Sequence, residues 1–476
     1  MGFNATARPA TPPGAVLVAA LFLLAAGSAP TPALGAKNVV VVMTDDQDAR
    51  SLRVMKHTRR LIARRGTKFV NAYVTTPKCC PSRATFHTGL YTHNHGVIAN
   101  DGPRGGARGF NRTIRPAKTL AVRLKRAGYR TGYVGKYINN PEGDGIFNVP
   151  RGWDQWFEMV SGTTYRMYDY VVNANGQARR YGSSRRDYQT DVLARRAGRF
   201  ITQSAGARRP FFLMLGTVAP HRDARLGWRG SPVAAPRHAS RFRHSRMRRS
   251  PSFNERNMRD KPRFIRRPRM RKSRRREIRT HYRRRLASLL AVDDGVKRIV
   301  KRLRRAGELR TTVLLFTSDN GSLLGEHRLL GKGRAYEEAT RVPLLLRGPG
   351  IPRGKRRTQI VGNVDLAPTI LDISRGRRHG MDGRSLLPLA RNPSKGRGRA
   401  LLIEVLKGSG DRPFRALRRG DYVLIDHRGP ANELYDLDAD PFQLVNRYKD
   451  PAYRPVRREL RPRLRALTNC RRRSCR

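Results

Sequence analysis

Two pairs of oxygen-rich side chains, Asp45-Asp46 and Asp319-Asn320, each close an apolar run, and Lys136 and His221 do the same in "GYVGK" and "TVAPH". Three carboxylates and an amide are hard oxygen donors, the ligand set of Ca²⁺ or, second, Mg²⁺ rather than of Zn²⁺. No Cys/His cluster with zinc spacing competes. A cation held there, with a lysine and a histidine nearby, would receive an anionic group. The candidate nucleophile lies in "TTPKCCPSRATFHTG", where Cys79 and Cys80 are adjacent. A bridge between sequence neighbours is strained, so two thiols stand unpaired beside a helix start at Pro81-Ser82, whose N-terminal dipole favours an anion.

These residues are far apart in sequence, so the fold must bring them to one edge. "NVVVVM" (38–43) is a continuous β-branched run, the pattern of a strand buried on both faces of a parallel sheet. "YRTGYVGK", "PFFLMLGTVAPH" and "TTVLLFTSDN" repeat it, and helical stretches at 119–128 and 289–307 lie between them, the second closing on Gly307. The alternation predicts an α/β fold with a large, mostly parallel central sheet flanked by helices. Ligands bind such sheets beyond the carboxyl ends of the strands, where all four polar clusters fall. Residues 222–285, rich in Arg and Pro and without strand pattern, read as a surface excursion ending in a helix. From residue 393, "RALLIEVL", "DYVLIDH" and "NELYDLDADPFQLVN" predict a smaller C-terminal subdomain (393–476), an antiparallel sheet with a terminal helix. The catalytic domain is then 37–392.

Arg8 precedes the apolar run "AVLVAALFLLAAG", and small residues with proline follow in "SAPTPALGA". This is the pattern of a signal peptide at 1–36, cleaved near residue 35–36, and it predicts a secreted or extracytoplasmic protein. The run is shorter than the roughly 20 apolar residues a span requires, and no later segment qualifies, so no membrane span is expected in the mature chain. In an oxidising compartment Cys470 and Cys475 of "NCRRRSC" are expected to form a disulfide. The 476 residues include 100 Lys plus Arg against 35 Asp plus Glu, a formal charge of +65 that attracts polyanions. No nucleic-acid recognition motif accompanies it, so nucleic acid is not an expected partner.

The cysteine segment carries the C-x-P-S-R…T-G signature from Cys79, and the chain there resembles the type I sulfatases. "NVVVVMTDDQD", "GYVGKY", "TVAPH", "FTSDNG", "GEHRLLGKGRAYEEATRVPLLLRGPG" and "NELYDLDADP" follow that family's order over nearly all of residues 37–450. "TTPKCCPSR", "YTHNHGV" and "GKYIN" are most similar to the N-acetylglucosamine-6-sulfatase and heparan endosulfatase branch. The resemblance implies an alkaline-phosphatase-like sulfatase fold. It implies that a formylglycine-generating enzyme oxidises Cys79 to formylglycine, whose hydrate attacks sulfur with one hydroxyl and expels sulfate with the other. Asp45, Asp46, Asp319 and Asn320, with residue 79 itself, would hold Ca²⁺, and Arg83 would steady the formylglycine. Lys136, His221 and Lys332 would contact sulfate, with His221 or Lys332 the acid for the leaving alcohol. Many sulfatases have G-K-W-H where this chain reads "GKYIN". Ile138 replaces that histidine, the base for sulfate release is unassigned, and Asn139 becomes a candidate binding residue. Cys80 is expected to serve packing, and His93 and His95 to lie at the surface or behind the site.

The implied activity is an exported sulfuric ester hydrolase acting on sulfated carbohydrate of glycosaminoglycan type. A phosphatase or phosphonate monoester hydrolase of the same superfamily is the first alternative. The second is a non-catalytic binder of heparin-like polyanions through the Arg-rich segment.

Overall fold

The computed structural model describes residues 1–2, 37–139, 147–207, 209–226, 230–247, 249–427, 429 and 431–476. The expected leader, apart from its first two residues, therefore lies outside the described residues. The sheet that positions the site contains β1 (Asn38–Thr44), β2 (Thr67–Phe69), β3 (Arg130–Gly135), β4 (Gln155–Met159), β5 (Tyr170–Ala174), β6 (Gln177–Tyr181), β7 (Phe211–Gly216), β8 (Thr312–Ser318), β9 (Leu344–Arg347) and β10 (Lys355–Arg357). Their spatial order is β10-β2-β9-β8-β1-β7-β3-β4-β5-β6. Five adjacent strands, β8 to β4 in that order, are mutually parallel, while β9, β5 and β6 add antiparallel pairings at the two sides.

The "NVVVVM" run shows why the centre is a strand. Val39, Val41 and Met43 enter one core and Val40 and Val42 the other, all essentially without solvent contact. Period-two alternation thus feeds two apolar layers, and each fully buried valine contributes on the order of 1.5–3 kcal/mol. On one face lie α1 (Cys79–Thr88), α2 (Leu120–Arg126) and α5 (Leu366–Ile373); on the other lie α3 (Gln189–Ser204) and α4 (Lys272–Arg305). Thr119 caps α2 by accepting the Val122 N–H, as its place before the apolar run predicts.

The helices expected near residue 285 and over 289–307 are one 34-residue helix, α4. Its amino-terminal half is too charged to show an apolar stripe, and only Ile278 is buried there before Arg285. The Arg-rich segment before it is also less superficial than its composition implies. Met258 and Ile265 enter a core, and buried Glu255 pairs with His327 at 2.6 Å and Lys261 at 3.3 Å. In the C-terminal region β11 (Ala400–Val405), β12 (Phe414–Arg419), β13 (Tyr422–Asp426) and β14 (Glu433–Asp436) form an antiparallel meander covered by α6 (Arg454–Thr468). Among the described residues no helix is long and apolar enough to cross a membrane.

Register places the chemistry. Thr44 aligns with Ser318, Met43 with Gly216, and Gly216 with Gly135. Thr217 and Lys136 therefore emerge level with Thr44 and Ser318, and Asp45 and Asp319 one residue beyond, all at the carboxyl edge. Gly135 has φ +104°, and a Cβ there would stand 2.0 Å from the Gly216 carbonyl oxygen, so only glycine lets the chain turn Lys136 into the edge.

Candidate active site

Cys79 is the first residue of α1, after an extended Lys78, and the helix ends on Gly89 at φ 69°. Its thiol is 1% exposed. Sγ lies 3.3 Å from Asp45 Oδ1, 3.8 Å from Asp46 Oδ1 and 2.6 Å from Lys332 Nζ. The helix is fixed from two sides. Ser82 Oγ donates to the Asp319 carbonyl and accepts from Asn363 Nδ2 at 2.9 Å. The buried Arg83 donates through Nε to Asp319 Oδ2 at 2.8 Å and through Nη1 to the Lys136 carbonyl at 2.5 Å. One side chain thereby ties α1 to the ends of β3 and β8.

One ligand atom from each of Asp45, Asp46, Cys79 and Asp319 lies within 4.8 Å of all the others. Asn320 adjoins them, donating from Nδ2 to Asp46 Oδ1 at 2.6 Å. Asp46 sits at φ 66°, the left-handed region that costs a residue with a Cβ roughly 1–2 kcal/mol. Its N–H donates to Asp319 Oδ1 at 3.1 Å, and its carbonyl accepts from the guanidinium of Arg285, which also reaches the Pro220 carbonyl at 3.3 Å.

The electrostatics separate these acids. Burial pushes the Asp45 carboxyl up, but Lys136, His221, Arg83 and Lys332 together hold it well below the carboxylate range. Burial opposes ionisation of Asp46 too, and Lys332 and His221 again outweigh it. Asp319 is held above its ordinary value by burial and then by the neighbouring Asp45 charge. The all-oxygen donor set of Asp45, Asp46, Asp319 and Asn320, gathered at one point, fits a hard divalent cation.

A cationic wall faces the cluster. Lys136 bonds Asp45, and Lys332 bonds Asp46. Burial lowers both ammonium groups, but Asp45 for Lys136 and Asp46 for Lys332 raise them well above the lysine range, so both are charged. His221 Nδ1 lies 2.9 Å from the Arg222 carbonyl, which makes it the donor, and Nε2 is 3.8 Å from Asp46 Oδ2. Tyr165, which no motif marks, joins three of the expected residues. Its ring stacks on His221 at 4.3 Å, Lys136 Nζ stands 4.7 Å over it, and its hydroxyl accepts from Asn139 Nδ2 at 3.0 Å. Arg285 was also missed, although its place beside the apolar "LASLL" run was a usable sign of burial.

Cys80 packs in the core, where burial pushes its thiol up to about 12. His93 bonds Glu404 at 2.8 Å, and Cys470 and Cys475 are joined at 2.06 Å. His95 is not superficial. It is buried, its Nδ1 accepting the Val97 N–H and its Nε2 facing Thr85 Oγ1, both at 3.1 Å, because the tight turn after Tyr91 folds it against α1. A cleft of about 930 Å³ opens at the site, lined by Asp46, His221 and Lys332 together with Arg222, Arg276 and His281. The Arg-rich segment thus forms a wall of this cleft.

The sulfatase family pattern matches residues 37–376, and the C-terminal pattern of N-sulphoglucosamine sulphohydrolase matches 325–470. The human N-acetylglucosamine-6-sulfatase is 34% identical over 455 residues, 86% of this chain and 80% of that protein. An extracellular sulfatase Sulf-1 homolog of Caenorhabditis elegans is 40% identical over 364 residues, 74% of this chain, and the chain spans about half (49%) of that relative's length. Among solved structures, one in complex with its substrate D-glucosamine-2-N,6-O-disulfate superposes with a TM-score of 0.74 at 24% identity, covering 90% of this chain and 97% of that one. The phosphonate monoester hydrolase of Agrobacterium radiobacter gives 0.68 at 20% identity over 91% and 95%. At these identities the likeness to solved structures concerns the fold alone. The family pattern covers most of the chain and brackets Cys79, the carboxylate cluster and Lys332, so the chain belongs to the sulfatase family of sulfuric ester hydrolases.

Proposed function

We propose that the chain is an exported sulfatase that releases sulfate from a sulfated carbohydrate, with 6-O-sulfated N-acetylglucosamine the favoured group. The observation that carries this is the convergence of Cys79, Lys332 and the Asp45/Asp46/Asp319 carboxylates on one point, with Asp46 and Lys332 lining an adjoining cleft. The choice of sugar rests on the named activities of the relatives, and export on the extracellular relatives together with the leader pattern.

In this reading Asp45, Asp46, Asp319 and Asn320 hold Ca²⁺, which when bound supplies fixed positive charge to the sulfate oxygens. Formylglycine, made from Cys79 by a separate modifying enzyme, supplies a hydrated aldehyde as nucleophile. The remaining work falls to side chains already in place. Lys136 and Lys332 hold charge where the departing group's oxygens gather it. Arg83 fixes the first turn of α1, and His221 or Lys332 gives a proton to the leaving alcohol. Tyr165 keeps His221 and Asn139 in place beside Lys136.

Sulfate release from a panel of sulfated sugars, with mass spectrometry of residue 79, tests the reading. The expected result is turnover of 6-O-sulfated N-acetylglucosamine and an aldehyde at position 79. An active enzyme with an intact thiol would overturn the nucleophile. Faster turnover of nitrophenyl phosphate or phosphonate than of nitrophenyl sulfate would replace the sulfatase by the related hydrolase. A Cys79→Ala variant with undiminished biological effect would leave only polyanion binding.

A further inference from the structure

A second cluster of basic side chains lies outside the catalytic cleft. The disulfide Cys470–Cys475 closes a loop that presents Arg471, Arg472 and Arg473. That loop is fixed: the Arg472 N–H donates to Asp382 Oδ1 and the Arg471 N–H to Ser474 Oγ, both at 2.8 Å. With Arg378, Arg384 and Arg476 the three arginines line a cavity of about 700 Å³, and no carboxylate side chain is among its lining residues. A smaller cavity of about 330 Å³ shares Arg471, Arg472 and His379 and adds Lys118 and Arg123, with Asp382 the one carboxylate in its lining, so the two form one mostly basic track. None of these residues lines the catalytic cleft.

Two guanidinium groups on this track are short of acceptors. Nε and Nη2 of Arg384 and Nε of Arg123 are buried without a hydrogen-bond partner. A buried unsatisfied donor costs about 1–3 kcal/mol, more for a charged group, and an anion relieves that cost. Burial and then Arg399 lower the Arg384 guanidinium, and burial, then Arg473 and Arg378, lower that of Arg476, although Asp365 opposes the first and Asp382 and Asp365 the second; Arg378 pairs with Asp372 at 3.4 Å. Another cavity, of about 830 Å³, also has six arginines, among them Arg60 and Arg353, but none of them has a buried N–H without a partner. A cavity lined by six arginines therefore does not by itself produce such donors.

We propose that the Arg384 track binds sulfate groups of a glycan chain, an exosite that holds the polymer while the catalytic cleft works on it. The oxyanion chemistry follows from the unpartnered guanidinium groups; the choice of a sulfated glycan rests on the proposed function. Calorimetric titration of the full chain with a heparin-derived octasaccharide, and separately with inorganic sulfate, tests it. The exposed pair Arg378→Ala/Arg473→Ala and the single Arg384→Met are compared with the pair Arg60→Ala/Arg353→Ala, which removes the same charge as the first pair from the other cavity. Octasaccharide affinity is expected to fall at least about ten-fold in the first two variants, the loss of charge-assisted contacts, and less than about two-fold in the control, where only the screened field changes. Turnover of nitrophenyl sulfate is expected to stay unchanged in all three. Equal losses in the two pairs would overturn the exosite. Inorganic sulfate binding at Arg384 as tightly as the octasaccharide would overturn the glycan and leave a free-oxyanion site. A selective loss in a protein that hydrolyses no sulfate ester would support the exosite while the proposed function fails.

Discussion

Lys332 Nζ stands 2.6 Å from Cys79 Sγ and also bonds the Asp46 carboxylate. A charge so close to the reacting atom acts on the transition state rather than on general binding. Lys332→Ala is expected to lower kcat by about 10²–10³, roughly 3–4 kcal/mol, with a smaller change in KM. Steady-state kinetics on nitrophenyl sulfate check this. A change confined to KM would make Lys332 a binding residue only.

In-line displacement puts the leaving oxygen on the side of sulfur away from the nucleophile. Both Lys332 and His221 line the cleft, but Lys332 lies against Cys79, the proposed nucleophile, whereas His221 faces the other carboxylate oxygen of Asp46. His221 is therefore the expected acid once its Nε2 takes a proton from solvent, a step that burial opposes and Asp45 and Asp46 favour. His221→Ala should lose about 10²–10⁴ in kcat on a sugar sulfate, whose alcohol leaves poorly, and far less on nitrophenyl sulfate. Equal losses on both substrates would return the proton to Lys332.

Calcium binding to the folded cluster should be visible without any substrate. A ligand at about 100 times its Kd stabilises the folded state by about 2.7 kcal/mol, so Ca²⁺ should raise Tm and a chelator should reverse the rise. Asp319→Asn is expected to abolish the calcium-dependent shift. If the variant retains the full shift, the ion is held elsewhere.

The buried His87 and His95 set an acid limit. Burial holds both imidazoles down to about 3, with Arg83 adding to it for His87 and His93 for His95. In the unfolded chain a histidine takes its proton near 6.5. The unfolded state thus binds protons first as the pH falls. Each residue's stabilisation is complete above about pH 6.5 and is lost, by at most about 1.4 kcal/mol per pH unit, down to about pH 3. Urea midpoints between pH 7 and 4 should fall less steeply for His95→Gln than for the unmodified chain. An unchanged slope would show that His95 does not titrate in this window.

The legible part of the site was whatever the chain concentrates at strand ends. Asp45, Asp46, Asp319 and Asn320 follow "VVVVM" and "VLLFT", runs that bury both faces and so declare themselves as parallel strands. The motif around Cys79 supplied Arg83, and the family-like segment "GEHRLLGKGRAY" supplied Lys332. Tyr165 was invisible because its partners, Asn139 and His221, are 26 and 56 residues away and nothing in "TTYRMY" marks a ring between them. The antiparallel side of the sheet was hidden for another reason. Four of the five residues of β6, "QARRY", are exposed, so no core pattern labels that strand.

The depth of the Cys79 thiol imposes an order of events on the protein's making. All ten residues of α1 are buried, and the segments that cover it include Asp45, near the start of the described fold, and Asn363, more than 300 residues later. A catalyst the size of a protein cannot reach a sulfur that is 1% exposed. Any enzyme that oxidises Cys79 must act on the growing or still-open chain. A molecule that closes with its thiol intact would stay inert however much modifying enzyme it meets later. Its activity would then be decided during synthesis, and recovery would require unfolding and a second passage.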